Sequence, residues 1–282
     1  GDGIVLESGS DSNTISGNSV SYCLFDGFGQ GNAVGDLSAN NAVSGNIFSF
    51  NGNNGIRLGS WSGASTLIEN NTIQSNSQSG IIPGSTRATV IRSNAIRSNL
   101  LYGILLNATQ VHTFYQNTLD SNADYQIYIS GNSLADTFQK NNIKTSPSNP
   151  DSGVVVVSAN AANRFDFTRN YWNATDSSRI KKMIYQESNG DSILWQPFRL
   201  GQVDTAAGAD TTAPKAPDTV AIADATSDTS VVLEWTAVTA LEASNGGAVA
   251  PSGYRVYRSA VKDTSSWIKV AQVGSGVIRF QD

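Results

Sequence analysis

A seven-residue unit with asparagine in its second position recurs along the chain, in forms such as "NNTIQSN" from Asn70 and "SNAIRSN" from Ser93. The second residues of the seven units are Asn18, Asn46, Asn71, Asn94, Asn117, Asn141 and Asn170. Successive members are 28, 25, 23, 23, 24 and 29 residues apart. Because the intervening sequence alternates apolar and polar residues and has turns rich in Gly, Asn and Ser, the repeat predicts stacked coils of short strands rather than helical repeats.

Apolar residues recur at fixed positions relative to this asparagine. Three residues before each asparagine stand Ile15, Val43, Ile68, Ile91, Phe114, Phe138 and Phe167. Two residues after it stand Val20, Phe48, Ile73, Ile96, Leu119, Ile143 and Trp172. A third apolar row lies earlier in each coil, in stretches such as "GIRL" (55–58) and "GILL" (103–106). Three strands per coil predict three parallel sheets around a filled interior.

The recurring asparagine has a physical role at the bends between strands. Its side-chain amide can donate to and accept from the backbone of equivalent bends in neighbouring coils, and asparagine tolerates a left-handed φ. We therefore predict that Asn18 to Asn170 form a structural ladder along the stack.

The "N-x-[IVL]-x-x-N" units resemble the right-handed parallel β-helix repeats of the pectin-lyase-like superfamily, over about residues 1–200. The resemblance implies an all-β chain with a right-handed, single-stranded parallel β-helix of about seven coils. Such repeats indicate fold rather than activity. Since "GDGIVL" at the N-terminus already reads as part of a full coil, further coils are expected upstream.

The end of the array, from Asn170 to Phe198, resembles the segment that closes many extracellular members of this superfamily. There an Asn-aromatic-Trp unit leads into a short helix and a "PF" strand. The resemblance implies a cap at 170–200, in which Ile180, Met183 and Ile184 lie on one face of a short helix over the last coil. Asn173 stands where such members have Gly and is expected at positive φ.

A linker of small residues and proline follows at 201–213, and the pattern then changes. Stretches such as "SVVLEW" and "SGYRVYRSA" alternate with period two, as the strands of antiparallel sandwiches do. Residues 214–282 resemble a fibronectin type III domain with Trp235 and Tyr257 in core positions. They are fewer than the ~100 residues of this class, so an incomplete domain is expected.

Composition excludes several kinds of partner. The chain has 18 basic and 23 acidic residues, a net charge of -5 and no run of Lys or Arg, which argues against nucleic acid and anionic membranes. Apolar stretches are too short to insert into a membrane. With one Cys and one His, the sequence predicts no Cys/His metal site, and it indicates no cofactor.

The outward positions of the first predicted sheet are mostly apolar. They are Val5, Arg57, Ile82, Leu105, Tyr128 and Val155. The resemblance implies that enzymes of this superfamily carry carboxylates and Arg or Lys on that side, whereas this set reads as a covered or docking face. We predict a protein contact at Ile82, Leu105, Tyr128 and Val155. A carbohydrate contact is predicted beside it, at Trp61, Arg57 and Arg87.

His112 and Asp136 fall one coil apart and are weak candidates for a catalytic pair, in which His would act as a general base. Both, however, lie in a polar turn row with Asn13, Asn41, Thr66 and Thr89, so hydrogen bonding is the favoured interpretation. Outward charges should pair across coils, as Glu69 with Arg92, and Arg97 with Asp120 and Lys144.

Two functional hypotheses remain open. The favoured one is a secreted or cell-surface structural or adhesive scaffold, such as an adhesin, surface-layer or filament-associated protein, that binds other protein chains, its own copies or a glycan. The alternative is a polysaccharide lyase, epimerase or glycoside hydrolase whose active site lies mostly in upstream coils.

Overall fold

The computed structural model describes residues 1–7, 9–31, 38–59, 66–84, 88–107, 111–131, 133–134, 136–145, 153–158, 164–186, 192–205, 219–227, 230–237, 253–258, 268–274 and 276–281. The chain divides into two compact units, Gly1–Ala209 and Asp210–Asp282. Among the described residues there is no helix with the length and apolar character needed to cross a membrane.

The first unit is a parallel β-helix built from three sheets. Sheet A consists of β1 (Ile4–Leu6), β4 (Phe28–Gln30), β7 (Ile56–Leu58), β10 (Ile81–Ile82), β13 (Ile104–Asn107), β16 (Ile127–Gly131), β19 (Val154–Ser158) and β21 (Ile184–Gln186). Sheet B consists of β2 (Thr14–Ser16), β5 (Ala42–Ser44), β8 (Leu67–Glu69), β11 (Val90–Arg92), β14 (Thr113–Tyr115), β17 (Thr137–Gln139), β20 (Arg164–Asp166) and β22 (Ser192–Leu194). Sheet C consists of β3 (Ser19–Ser21), β6 (Ile47–Ser49), β9 (Thr72–Gln74), β12 (Ala95–Arg97), β15 (Thr118–Asp120) and β18 (Asn142–Ile143).

Successive coils add one strand each to sheets A and B, and each strand pairs in parallel with its equivalent in the next coil. Six coils have all three strands. In two further coils the third strand is reduced to single bridges, from Asn142 to Tyr171 and from Tyr171 to Arg199. The predicted fold class, a parallel β-helix of about seven coils with β-structure after it, is confirmed.

The interior is filled by the three apolar rows. Ile68, Ile73 and Ile81 from one coil have no exposed surface, and their equivalents in neighbouring coils are buried in the same way. Toward the C-terminal coils the row in sheet B becomes aromatic: the rings of Phe114 and Phe138 stack with centroids 4.2 Å apart, and those of Phe138 and Phe167 with centroids 4.4 Å apart. Stacked rings of this kind pack closely along the interior.

The predicted asparagine series lies in one line of hydrogen bonds. The Oδ1 atom of each member accepts from the backbone N–H of the member one coil earlier, at 2.8 to 3.0 Å, and also from its Nδ2. The Nδ2 of Asn94 also donates to the carbonyl oxygen of Ile68 in the preceding coil, at 3.0 Å. One amide therefore satisfies backbone groups at a bend that has no strand partner.

The left-handed conformation at these bends belongs to the residue before each ladder asparagine. Positive φ values occur at Gly17, Gly45, Asn70, Ser93, Gln116, Lys140 and Arg169. None of the seven ladder asparagines has a positive φ, so the preceding residue makes the bend and the asparagine aligns its amide with the ladder. Asn173, as expected, has φ of 54°.

Backbones of neighbouring coils approach closely where the chain enters sheet A. A Cβ placed on Gly80 would lie 2.7 Å from the carbonyl oxygen of Gly103 and 2.9 Å from the Nδ2 of Asn99. Real Cβ contacts of this length would force a shift of the next coil, which explains the glycine before the β10 strand.

The helix α1 (Ser177–Lys182) begins after the N-cap Asp176, whose side chain accepts from the backbone N–H of Ser178. Ile180 and Met183 are fully buried on its inner side. Ile184, predicted on the same helix face, instead begins β21 and pairs with Val154 in sheet A. The array therefore continues for one more coil after the helix, because Ile184 is β-branched and has an open strand edge beside it.

The second unit contains two antiparallel sheets. One has the order β23 (Val220–Ser227), β24 (Ser230–Trp235) and β27 (Arg279–Gln281), and the other pairs β25 (Gly253–Arg258) with β26 (Ile268–Gly274). Trp235 is buried and meets the ring of Tyr254 edge-on at 5.3 Å. Tyr254, not Tyr257, supplies this aromatic contact, since residues three apart in a strand point to opposite faces. The fibronectin type III assignment and the predicted domain boundaries stay predictions.

Candidate functional site

The outer face of sheet A carries apolar side chains on successive coils. Arg57 pairs in register with Ile82, and Leu105 with Tyr128. In β7 and β13 the flanking residues are buried, whereas Arg57 is exposed and Leu105 is partly exposed. Ile82 and Tyr128 are also partly exposed. Alternation within each strand thus places the predicted contact residues on one face.

Val155 continues this row in register with Tyr128, but its side chain lies outside the described residues. Trp61 and Arg87, predicted for carbohydrate contact, also lie outside them. The structure therefore places Arg57, Ile82, Leu105 and Tyr128 together, and the predicted roles of these residues stay predictions.

A groove of about 480 Å³ lies on this face. Its described lining residues are Asn53, Asn54, Arg57, Leu58, Gly59, Gln78, Ile82, Pro83, Leu105 and Asn107. Ile82 and Leu105 come from the strands of sheet A, whereas Asn53 and Gln78 come from the turns before those strands. We call this feature the sheet A groove, and it combines an apolar centre with amide side chains.

Arg57 carries the charge among the described residues of the sheet A groove. Its Nη1 atom lies 4.0 Å from Oδ2 of Asp26, and its side chain is 51% exposed while that of Asp26 is 3% exposed. The other carboxylate oxygen of Asp26 accepts from the backbone N–H and the Nδ2 of Asn54, each at 2.9 Å. A long, one-sided contact of this kind orients the guanidinium without covering it, so it can meet a ligand.

Three tyrosines cluster at the start of sheet A strands, and one of them, Tyr128, pairs in register with Leu105. The ring centroids of Tyr102 and Tyr128 are 4.7 Å apart. The ring centroid of Tyr125 lies 6.2 Å from that of Tyr102 and 6.0 Å from that of Tyr128. Burial, with a further effect from Tyr128, raises the pKa of Tyr102, so its phenol stays protonated and can donate a hydrogen bond. The sequence analysis did not single out Tyr102 and Tyr125. Their spacing of one coil, directly before the sheet A strands, was the available signal.

His112 and Asp136 form a structural contact. Nδ1 of His112 accepts from the backbone N–H of Thr89 at 2.9 Å, so the proton is on Nε2, which donates to the carbonyl oxygen of Gly84 at 3.1 Å. The carboxylate of Asp136 accepts from the backbone N–H of His112 at 2.6 Å, not from its ring. Burial lowers the pKa of His112 to about 4. Both ring nitrogens thus bind the backbone, as expected of a member of the polar turn row.

A comparison with protein families agrees with this architecture. A family model described as the right handed beta helix region matches residues 1–143, just over half of the chain of 282 residues. The chain belongs to this right-handed β-helix family. Neither the curated proteins nor the solved structures include a match to the chain. The family establishes the fold and the handedness of the β-helix and leaves its activity to be argued from its surface.

Outside the sheet A groove, charged groups of this β-helix pair across coils. Arg92 forms an ion pair of 2.6 Å with Glu69 and donates from Nη1 to the hydroxyl of Tyr115 at 2.7 Å. Lys144 lies 3.1 Å from the carboxylate of Asp120. Arg97, expected to pair with Asp120, instead donates to Oε1 of Gln74 in the preceding coil at 2.9 Å. An exposed ion pair between Arg97 and Asp120 would contribute only ~0.2 to 1 kcal/mol. A hydrogen bond from Arg97 to the uncharged Gln74 can therefore take its place.

Within the described part of this β-helix protein, no group of three or more His, Cys, Asp or Glu side chains is placed to hold a metal ion.

Proposed function

We propose that the protein is a secreted or cell-surface β-helix scaffold that assembles with protein chains, including its own copies, through the outer face of sheet A. The observation that carries this proposal is the strip of Ile82, Leu105 and Tyr128, which stand on three successive coils and are partly exposed. Ile82 and Leu105 also line the sheet A groove. At ~4.8 Å per coil, with Val155 as the next member, the strip extends about 15 Å.

The chemistry of the strip favours a protein partner. Ile82 and Leu105 have no polar atom, so excluding water from them requires a partner with apolar groups of its own. The phenol of Tyr128 can contact a protein or a glycan. Elsewhere on the β-helix, the contacts of Glu69 and Asp120 with basic side chains of neighbouring coils support a role in rigidity rather than recognition.

The extracellular location rests on the resemblance of residues 170–198 to the closing segment of extracellular β-helix proteins. A weaker glycan contact at Trp61, Arg57 and Arg87 is part of the proposal. Arg57 lines the sheet A groove and supports it by offering a partly exposed guanidinium.

Replacing Leu105 with Glu tests the proposal. Leu105 is partly exposed, so the substitution should leave the fold intact, but it places a charge in the centre of the strip. We expect wild-type protein to associate reversibly at high micromolar concentration. Leu105→Glu should weaken that association at least tenfold, since burying an unpaired carboxylate at an interface is costly. Sedimentation velocity over a concentration series measures the association, and thermal unfolding checks the fold.

Leu100→Glu is the matched control, because Leu100 is 60% exposed on the same coil but does not line the sheet A groove. It should associate as the wild type does. The proposal is wrong if the wild type stays monomeric, or if Leu105→Glu associates as strongly as Leu100→Glu.

A further inference from the structure

The described lining of the sheet A groove combines three kinds of groups: amides, apolar side chains and one guanidinium. We propose that it binds an extended polypeptide segment that carries a carboxylate, with an apolar side chain two residues away. This inference rests on the proposed function, because it names the part of a protein partner that enters the groove.

The molecule already shows how an outward amide holds a passing backbone. Oδ1 of Asn142 accepts from the backbone N–H of Val203 at 2.7 Å, and its Nδ2 donates to the carbonyl oxygen of the same residue at 2.8 Å. Val203 is only 5% exposed. Two residues later, the hydroxyl of Thr205 lies 3.0 Å from that of Thr118, one coil away from Asn142. This segment crosses a coil in two residues, and an extended chain has that reach.

The sheet A groove presents amides of the same kind. Asn53 and Gln78 stand on successive coils, where the N–H of Gln78 donates to the carbonyl oxygen of Asn53 at 2.9 Å. Their side chains are joined by a bond of 3.2 Å from Nε2 of Gln78 to Oδ1 of Asn53. Gln78 is exposed, as is Asn107 on the far side of Leu105. Because an amide offers both donors and an acceptor, such residues can pair with a peptide backbone as Asn142 does.

Arg57 indicates the charge of the occupant. Its guanidinium is half-exposed, and its contact with Asp26 is long at 4.0 Å. A guanidinium binds a carboxylate through two parallel N–H donors, which fixes both position and orientation. The occupant therefore carries Asp, Glu or a chain-terminal carboxylate.

The coil spacing sets the distance between the carboxylate and the apolar group. Ile82 lies one coil from Arg57 and Leu105 lies two coils away, about 5 and 10 Å along the stack. In an extended peptide, side chains on the same side recur every ~6.8 Å, so the residue two positions from the carboxylate lies between Ile82 and Leu105. The expected motif is an acidic residue followed or preceded at two positions by Leu, Ile, Val or Phe.

A displayed library of random octapeptides, panned against the purified full chain, tests this motif. We expect enrichment of an acidic and an apolar position two residues apart. Synthetic peptides of the enriched sequence should lose about 10- to 100-fold in affinity for Arg57→Gln, the range for removal of a charge-assisted pair. Arg97→Gln removes an exposed arginine from sheet C and should bind as the wild type does.

The inference is overturned if no motif is enriched, if the motif lacks an acidic position, or if Arg57→Gln and Arg97→Gln bind alike. It is also overturned if cellohexaose or hexagalacturonate binds more tightly than the peptides and depends on Arg57, since the occupant would then be a glycan. Failure of the proposed function is separate, because that depends on the effect of Leu105→Glu on association of the whole protein.

Discussion

At the scale of single residues, each position in the polar turn row needs a side chain that can hydrogen-bond to the backbone of a neighbouring coil. His112 meets this need in a row otherwise filled by Asn, Thr and Asp. Oδ1 of Asn41 accepts from the N–H of Asn13 at 2.7 Å, and Nδ1 of His112 accepts from Thr89 in the same way. Histidine in this position differs from asparagine in one respect: it can take up a proton.

Protonation of His112 should make the β-helix acid-sensitive. The pKa of the folded imidazole is about 4, against 6.5 for the ordinary value, because the charged form is desolvated and cannot accept from Thr89. The folded state thus binds fewer protons than the unfolded state. The neutral His112 side chain therefore contributes its full stabilisation above pH 6.5. That stabilisation, up to about 3 kcal/mol, is lost as the pH falls toward 4.

Urea unfolding of wild type and His112→Asn between pH 7 and pH 4.5 measures this effect. The wild type should lose stability more steeply, since Asn can keep the hydrogen bond from Thr89 without titrating. Parallel pH profiles for the two proteins would contradict the assignment.

At the scale of structural elements, the corners of the coil determine how the strands stack. The corner before sheet A has its own ladder, in which Asn51, Asn76, Asn99 and Asn122 bond in turn from Nδ2 to Oδ1 at 2.9 Å. Each is preceded by a residue with positive φ, which is Phe50 before Asn51 and serine before the others. Tyr22 has the same conformation before Cys23, whose backbone N–H donates to Oδ1 of Asn51 one coil later. The rings of Tyr22 and Phe50 stack with centroids 5.3 Å apart, which offsets part of the strain that a bulky residue has there.

Removing one rung should destabilise the coils on both sides. Asn94 is 1% exposed, accepts from the backbone and side chain of Asn71, and donates to Ile68. Asn94→Ala leaves several buried groups without partners, at ~1 to 3 kcal/mol each, so we expect a loss of about 3 kcal/mol or more in the free energy of unfolding. Chemical denaturation measures it.

Asn18→Ala provides the comparison within the same ladder, because Asn18 is exposed and water can replace its bonds. A loss of less than about 1 kcal/mol is expected there. Equal losses for the two variants would show that the ladder does not depend on burial.

At the scale of the whole molecule, the first unit is a quasi-one-dimensional stack in which each coil contacts its neighbours. Deleting the 23 residues from Asn71 to Ser93 removes β9, β10 and β11, one strand from each sheet, and brings Asn94 to the place of Asn71. The shortened protein should therefore fold, with a β-type circular dichroism spectrum and a cooperative thermal transition.

Deleting only Asn71 to Ile82 removes two strands and leaves β11 out of step with its neighbours. That protein should fail to fold, because every later side chain would meet the wrong row. If both deletions fold, or neither does, the coils are not independent units as described.

Much of this molecule could be predicted from the sequence by itself, because a solenoid repeats its local rules. The spacing of Asn18 to Asn170, the buried rows and the outward row of Arg57, Ile82 and Leu105 all follow from short-range alternation within a coil. Side-chain direction in a strand depends only on position, so these predictions needed no knowledge of distant contacts.

Only the tertiary structure decided which side chains meet across coils. In the structure, the residue with left-handed φ precedes each ladder asparagine, and Ile184 lies in a strand of sheet A rather than in the helix. Arg97 donates a hydrogen bond to Gln74 and does not pair with Asp120 as predicted. The tertiary structure also formed the sheet A groove from Asn53, Gln78 and Arg57, which lie on different segments of two coils. Such choices depend on competing partners at similar distances in three dimensions, and a one-dimensional pattern does not contain the energies that separate them.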